Sequence, residues 1–490
     1  MNCISMARRG RGARWRHAAS AAGLLLAATA CSRPGSGPLT VPEPPASGLA
    51  PEVLSHLRER YDAARAEPGS PGAVGALCTA YHADMLFALA DACYVHAQTV
   101  APSEWRFVYA RALLLADRGG GPGLVPLLRQ VLDRAPEFGP AWLRLGDAEF
   151  KAGRYDAAAD AWGRASGLDD PPRDGGTPEH RVEVPLRAYA SLGLARVALV
   201  RGDADGARRT LEAVVAAQPS FGPAIRLLAE AYRGTGRAAD ADRAVARAGR
   251  LPEFAPYADP VVDALVRESR NSTFLMRAAS DAGLTINAEW SEFLSRRAVR
   301  FDPANPEAVS KLARVLRTIG RSQEALELFL RYKALVPGDR QVSAHIGGCL
   351  SDLGRYAEAE EQFRTALRAG LDDPVTHYNL GLLLSRTGRG QAAVQEYERA
   401  LALDPRHSEA RSNLAAVLAA RGDLPRAGAE LERVLSYDPD NALARTNLGL
   451  VRMQQGRTAD AVREFEAALR IEPQMPQARA ALEAIGRGRP

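Results

Sequence analysis

Five cysteines in 490 residues are too few for a fold stapled by disulfides. Aromatic residues make up only 6% of the chain, so a core built around large rings is not expected and close contacts between small side chains are. A one-signed charge surplus is missing as well. The formal net charge is +5, yet Arg8, Arg9, Arg11, Arg14 and Arg16 account for all of it; without them the remaining basic residues equal the 58 acidic ones in number. That balance excludes the concentrated basic surface on which phosphate-backbone binding depends, and no nucleic-acid partner is expected. Familiar catalytic signatures are absent too. No lysine follows a glycine, so there is no GxxxxGK phosphate loop, and no histidine precedes a glutamate, which removes HExxH. There is neither a GxSxG elbow nor a CxxCH haem site. The expectation is a protein that catalyses nothing, takes no small-molecule substrate and carries no cofactor.

What the first fifty residues do contain is an address. A basic stretch (RRGRGARWRH) is followed by an apolar run of 13 residues, 18–30, and then by Cys31. The run is short of the roughly 20 residues a membrane-spanning helix needs and suits the core of a signal peptide. Ala28, Thr29 and Ala30, all small, stand just before the cysteine. The segment resembles the bacterial lipobox, with Ala28 departing from the leucine usual there. The resemblance implies lipidation of Cys31, with an ordinary cut after Ala30 or an uncleaved anchor as alternatives. Ser32, by similarity to the sorting rule of enteric bacteria, favours the outer membrane. Residues 31–50, rich in Pro, Gly and Ser, read as a stiff tether reaching on the order of 60 Å. The folded part would then stand on the periplasmic side of a bacterial envelope.

From residue 71 onward the chain repeats itself every 34 residues. Counting from Ala442, positions 7, 8, 15, 20, 24, 27 and 32 are Leu448, Gly449, Gly456, Ala461, Phe465, Ala468 and Pro473. Repeats begin at 71, 105, 139, 188, 222, 272, 306, 340, 374, 408 and 442, with an insertion at 173–187 and an irregular break at 256–271. Position 8, where two helices of a hairpin cross, is small in all eleven; position 20 is alanine in nine and fails at Leu124 and Ser291. Position 15 must turn the chain and is glycine except at Met85 and Ile286, because glycine tolerates a left-handed backbone. Position 32 is proline in eight, where it stops the second helix. The pattern resembles the tetratricopeptide repeat. That resemblance implies an all-α fold, an α-solenoid coiled as a right-handed superhelix, with first helices lining a concave groove. Its parts would be an N-terminal block at 51–255, a C-terminal block at 272–475 and a cap at 476–490.

A groove of this kind suits an extended peptide or a helix of a partner protein. Position 6 of three consecutive repeats holds Asn379, Asn413 and Asn447, which resembles the asparagine ladder in the superhelix of O-GlcNAc transferase. A carboxamide donates and accepts at once and so matches a peptide backbone; an exposed polar position beside a tight helix crossing is the plainer reading. Lys311, Arg314 and Arg317 share a helix face at i, i+3 and i+6 and could grip a carboxylate, or form a solvated charged face. Cys78, His82, Cys93 and His96 have zinc-like spacing on one hairpin, but Cys78 is at the crossing and position 23 is polar in the last four repeats (Gln362, Glu396, Glu430, Glu464). The two cysteines are therefore expected to face apart, leaving no metal site; a disulfide between them, in an oxidising compartment, is the alternative. Cys349 reads as core packing. The rival to a binding scaffold is an enzyme or metal module in the 71–104 repeat, the 256–271 break or the 173–187 insertion, where Asp174, Glu179 and His180 are the titratable groups.

Overall fold

The computed structural model describes residues 40–172, 183–249, 251, 256–282 and 288–487. The expected signal segment and Cys31 lie outside the described residues, as do Asp174, Glu179 and His180. The described chain contains helices and no strand. After α1 (Pro51–Ala66) come five helical pairs: α2 and α3 (Pro71–Ala83, Phe87–Val100), α4 and α5 (Trp105–Asp117, Leu124–Leu132), α6 and α7 (Gly139–Lys151, Tyr155–Ser166), α8 and α9 (Leu186–Val200, Ala204–Ala217), α10 and α11 (Gly222–Gly234, Ala238–Ala248). A single helix, α12 (Pro260–Glu268), stands apart from the pairs. Six pairs follow: α13 and α14 (Ser272–Ala282, Ala288–Phe301), α15 and α16 (Pro306–Thr318, Ser322–Leu335), α17 and α18 (Gln341–Asp352, Tyr356–Arg368), α19 and α20 (Pro374–Arg386, Gly390–Leu403), α21 and α22 (Ser408–Ala420, Leu424–Tyr437), α23 and α24 (Ala442–Gln454, Thr458–Ile471). A last helix, α25 (Pro476–Arg487), closes the stack. The eleven pairs stand in the phase of the 34-residue period, and the architecture is an α-solenoid.

Local chemistry explains the phase. Nine position-15 glycines, from Gly119 to Gly456, turn the chain with φ between 72° and 92°. Where the first repeat lacks that glycine the left-handed turn survives: Met85 has φ 63°, and among the described residues no other non-glycine has a positive φ. Asn305 and Asn441 accept backbone N–H groups three residues on, at 3.2 and 2.9 Å, and start α15 and α23.

Behind position 8 lies a ring. A methyl group on Gly146 would come within 2.4 Å of Trp162, one on Gly381 within 2.9 Å of Tyr397 and one on Gly449 within 2.6 Å of Phe465. Those rings, together with Tyr94, Phe329 and Phe363, are among the largest fully buried side chains. The expected ring-poor core is thus corrected. Aromatics are few, but position 24 collects them, and the small residue opposite makes room. Successive first helices approach one another (α6 to α8, α13 to α15, α21 to α23), whereas successive second helices stay further apart. The stack therefore curves with its first helices on the inside.

The cysteine expectation is overturned. Cys78 and Cys93 form a disulfide, with Cα atoms 5.2 Å apart. In the last three repeats the polar residue at position 23 faces position 4 of its own first helix: Glu396 meets His377 at 2.7 Å, Glu430 meets Arg411, and Glu464 meets Arg445 at 3.1 Å. In the first repeat position 4 is Val74, so the inward-facing slot takes a cysteine that reaches Cys78 instead. Two further segments differ from expectation. The supposed break at 256–271 contains α12. The end of the supposed tether is packed down, with Val41 buried and Tyr81 donating its hydroxyl to the Pro42 carbonyl at 2.9 Å. No helix among the described residues is long and apolar enough to cross a membrane.

Candidate binding grooves

The inner face of the N-terminal block is occupied by the chain itself. Residues 256–271 run along it from the fourth repeat to the first, touching each first helix in turn. At the entry to α8 the Val184 amide donates to the Pro256 carbonyl at 2.8 Å, and the Tyr257 ring meets Tyr189 edge-on. Asp259, buried, accepts from the Tyr109 hydroxyl of α4 at 2.6 Å and from Arg144 of α6 at 3.2 Å. Its other oxygen caps α12 through the amides of Val261 and Val262. Leu265 and Val266 are buried in a cluster with Val108 and Leu113 of α4. At the far end Glu268 pairs with His56 and Arg60 of α1, each at 2.7 Å. The Ser269 hydroxyl donates to the Ala83 carbonyl at 2.9 Å, and the Arg270 amide donates to Asp84 at 2.8 Å. Arg297 of α14 donates to the carbonyls of Val266, Arg267 and Ser269, satisfying the open end of α12.

Two cavities flank this segment. One, of about 630 Å³, lies on the side of Val262 and Val266 and is walled by Arg144, Trp162, Tyr189 and Phe274. The other, of about 480 Å³, lies on the side of Val261 and Ala264 against Thr79, Tyr94 and Phe107. Burial pushes the Tyr257 hydroxyl up to about 12, with Arg144 opposing and Asp259 adding to the shift. Asp84, buried beneath Ser269 and Arg270, is pushed up to about 6 by desolvation, against the pull of the Arg270 and Asn271 amides.

The sequence holds one signal for this segment of the groove. Asp259 followed by Pro260 is a capping residue ahead of a helix start, and Val261, Val262, Leu265 and Val266 make one apolar stripe. That signal was hidden because it falls outside the 34-residue phase.

In the C-terminal block no other helix among the described residues packs across the inner face. Asn379, Asn413 and Asn447 stand half-buried on α19, α21 and α23, in line from repeat to repeat. Asn413 reaches the Tyr378 hydroxyl at 3.4 Å; the side chains of Asn379 and Asn447 have no hydrogen-bond partner among the described residues. Exposed apolar groups share their helix faces: Val375 four residues before Asn379, and Leu443 and Leu450 on either side of Asn447. The basic triad is not brought together as one grip. Lys311 donates to Ser280 at 3.2 Å, Arg317 pairs with Asp352 of α17 at 2.7 Å, and only Arg314 is exposed on the groove side. Burial lowers the Lys311 ammonium and the neighbouring Arg314 lowers it further. His345, at position 6 of the next repeat, is likewise lowered by burial, then by Arg314 and Arg317. Position 6 thus carries Lys311, His345 and then three asparagines along one line.

The zinc-like quartet does not converge. Both of its thiols are consumed in the disulfide; His82 reaches the Tyr94 hydroxyl at 3.4 Å, and His96 reaches Thr40 at 3.0 Å. Cys349 is wholly buried, and burial pushes its thiol up to about 11.

A family model described as tetratricopeptide repeat matches residues 414–486, and a second of the same description matches 109–170, 289–340, 350–408 and 378–435. No curated protein matches the sequence. Among solved structures, YrrB, titled a TPR protein with an unusual peptide-binding site, is 24% identical, covers 39% of this chain and 97% of its own, and has a TM-score of 0.32. PilW, titled a type IV pilus biogenesis factor, is 18% identical over 43% of this chain and 98% of its own, at 0.40. Yeast Tom70 is 12% identical over 89% and 95%, at 0.38. The two family models together span half of the chain, and helical pairs outside them keep the same phase. The chain belongs to the tetratricopeptide repeat family.

Proposed function

We propose that this protein is a lipid-anchored interaction scaffold of the bacterial cell envelope, holding an extended segment of a partner protein in its C-terminal groove. The reading rests on one observation: three asparagines in line on successive first helices, two of them with side-chain amides that nothing else among the described residues engages. Helix layers spaced about 10 Å apart would set one carboxamide at roughly every third residue of an extended chain rising about 3.4 Å per residue. Each amide serves one backbone C=O and N–H, so the groove reads main chain more than sequence. Val375, Leu443 and Leu450 offer apolar ground between the amides, and Arg314 favours an acidic residue towards the α15 end. The buried disulfide fits an oxidising compartment, which agrees with export; lipidation at Cys31 supplies the anchor, and Ser32 directs it to the outer membrane. The groove binds and releases; no chemistry is assigned to it.

Two measurements bear on this. A photo-crosslinking residue at Leu450 should capture a partner in the native strain, and replacing Asn379, Asn413 and Asn447 with alanine together should remove that product while leaving the helical spectrum intact. An unchanged product would remove the ladder from the reading. Separately, Cys31→Ser should release the protein from the membrane fraction; continued sedimentation with the membranes would argue for an uncleaved anchor.

A further inference from the structure

We infer that residues 256–271 are a built-in but displaceable occupant of the N-terminal groove, and that a partner segment of the same chemistry takes the same seat once they leave it. The segment lies as a bound peptide would, meeting the first helices of repeats four, three, two and one in order. Its contacts define what the groove accepts. A carboxylate, here Asp259, sits between the Tyr109 hydroxyl and Arg144. Two adjoining aliphatic side chains, Leu265 and Val266, follow six and seven residues later against α4. A second carboxylate, Glu268, meets His56 and Arg60.

Two features mark the occupant as replaceable. Cavities of about 630 and 480 Å³ lie along opposite faces of α12, so the groove is wider than the helix in it and gives up dispersion contacts on both sides. Beyond its apolar contacts the segment is attached through polar groups that water can serve when it lifts, and Arg60 and Arg144 are already partly solvated. A partner with the same two carboxylates and bulkier apolar side chains between them would fill space that the native occupant leaves empty. This groove is separate from the asparagine line, so the inference stands whether or not that reading does.

The test uses the full chain. In wild type, hydrogen exchange at the amides of α12 should report opening at least 100-fold more frequent than at α4 and α6. Equal protection would make the segment part of the cooperative core and overturn the inference. In parallel, a fluorescent peptide of residues 256–271 is titrated against wild type and Asp259→Asn. The variant should bind it at least tenfold more tightly, because its own segment competes less, and adding Arg144→Ala should abolish binding. A peptide that binds neither folded protein, or binds both alike and survives the Arg144 change, refutes the shared seat. Replacing Asn379, Asn413 and Asn447 should leave all of these results unchanged.

Discussion

Two kinds of glycine that look alike in the sequence act for different reasons. Gly354 turns the chain at φ 76° with open space around it, so only its backbone is special. Gly449 sits on a helix with ordinary backbone, and a methyl group there would meet the Phe465 ring at 2.6 Å. Gly354→Ala should therefore cost about 1–2 kcal/mol through left-handed strain, and Gly354→Asn should recover part of it, since asparagine visits that region. Gly449→Ala should cost about 1–3 kcal/mol through overpacking, and Gly449→Asn should be worse still. Denaturation midpoints of the four variants check the crossed pattern; equal rescue by asparagine at both sites would refute it. The 34-residue phase exposed both glycine sets because each recurs with a fixed steric demand. It misplaces Cys93, because polarity at position 23 of the last repeats reads as outward direction when it marks an inward ion pair to position 4. The disulfide closes a loop with a sequence separation of 15. In the chain-entropy picture, a loop of that size contributes about 3 kcal/mol. Cys78→Ala with Cys93→Ala should weaken the first hairpin by about 2–3 kcal/mol, read as faster exchange at α2 and α3, with the C-terminal repeats unaffected.

At the scale of elements, the junction of α2 with the chain after α12 has its own pH dependence. Asp84 is buried, one of its oxygens has no hydrogen-bond partner among the described residues, and its pKa is raised to about 6 from an ordinary 3.8. Desolvation dominates, Glu268 adds to it, and Arg297 and two backbone amides oppose it. Because the folded pKa is raised, the folded state binds the proton more tightly than the unfolded chain. The stabilising contribution is complete below about pH 4 and is lost as pH rises through about 6. A shift of this size is worth on the order of 2–3 kcal/mol. Asp84→Asn should therefore leave stability at pH 4 nearly unchanged, raise it at pH 8 and flatten the difference curve between them. Urea midpoints at the two pH values measure this; a variant weaker than wild type at pH 8 would show that the ionised carboxylate stabilises the junction. None of this was legible in the sequence. Asp84 lies in a repeat and Arg270 in an apparent gap, and only a chain that doubles back over 186 residues brings them together. Periodicity reports contacts between neighbours in register; it carries no information about a segment that leaves the register and lies across it.

At the scale of the molecule, the two ends of the stack are unequal. An internal repeat is supported on both sides and an end repeat on one, so free ends of a solenoid open first. The C-terminal end fits that description: α25 packs mainly on α24, with Ala478 and Met475 among its few buried anchors. The N-terminal end is held in three further ways. Helix α1 and the buried Val41 cover the free end of the first pair, the disulfide joins α2 to α3, and Ser269, Arg270 and Asn271 bond to Ala83 and Asp84 from across the N-terminal block. A further contact closes the molecule on itself, with Arg243 of α11 beside Asp440 after α22 at 3.8 Å; exposed as both are, it contributes little. The expected profile of native hydrogen exchange is therefore lopsided. Amides of α24 and α25 should exchange about 10–100 times faster than those of α2 and α3, a ratio that matches about 1.4–2.8 kcal/mol of extra support. Reduction of the disulfide should narrow the gap without closing it, because α1 and the Ser269–Asn271 bonds remain. If α2 and α3 instead exchange as fast as α25 while the disulfide is intact, the returning segment does not brace the first repeat, and the N-terminal block behaves as an ordinary free end.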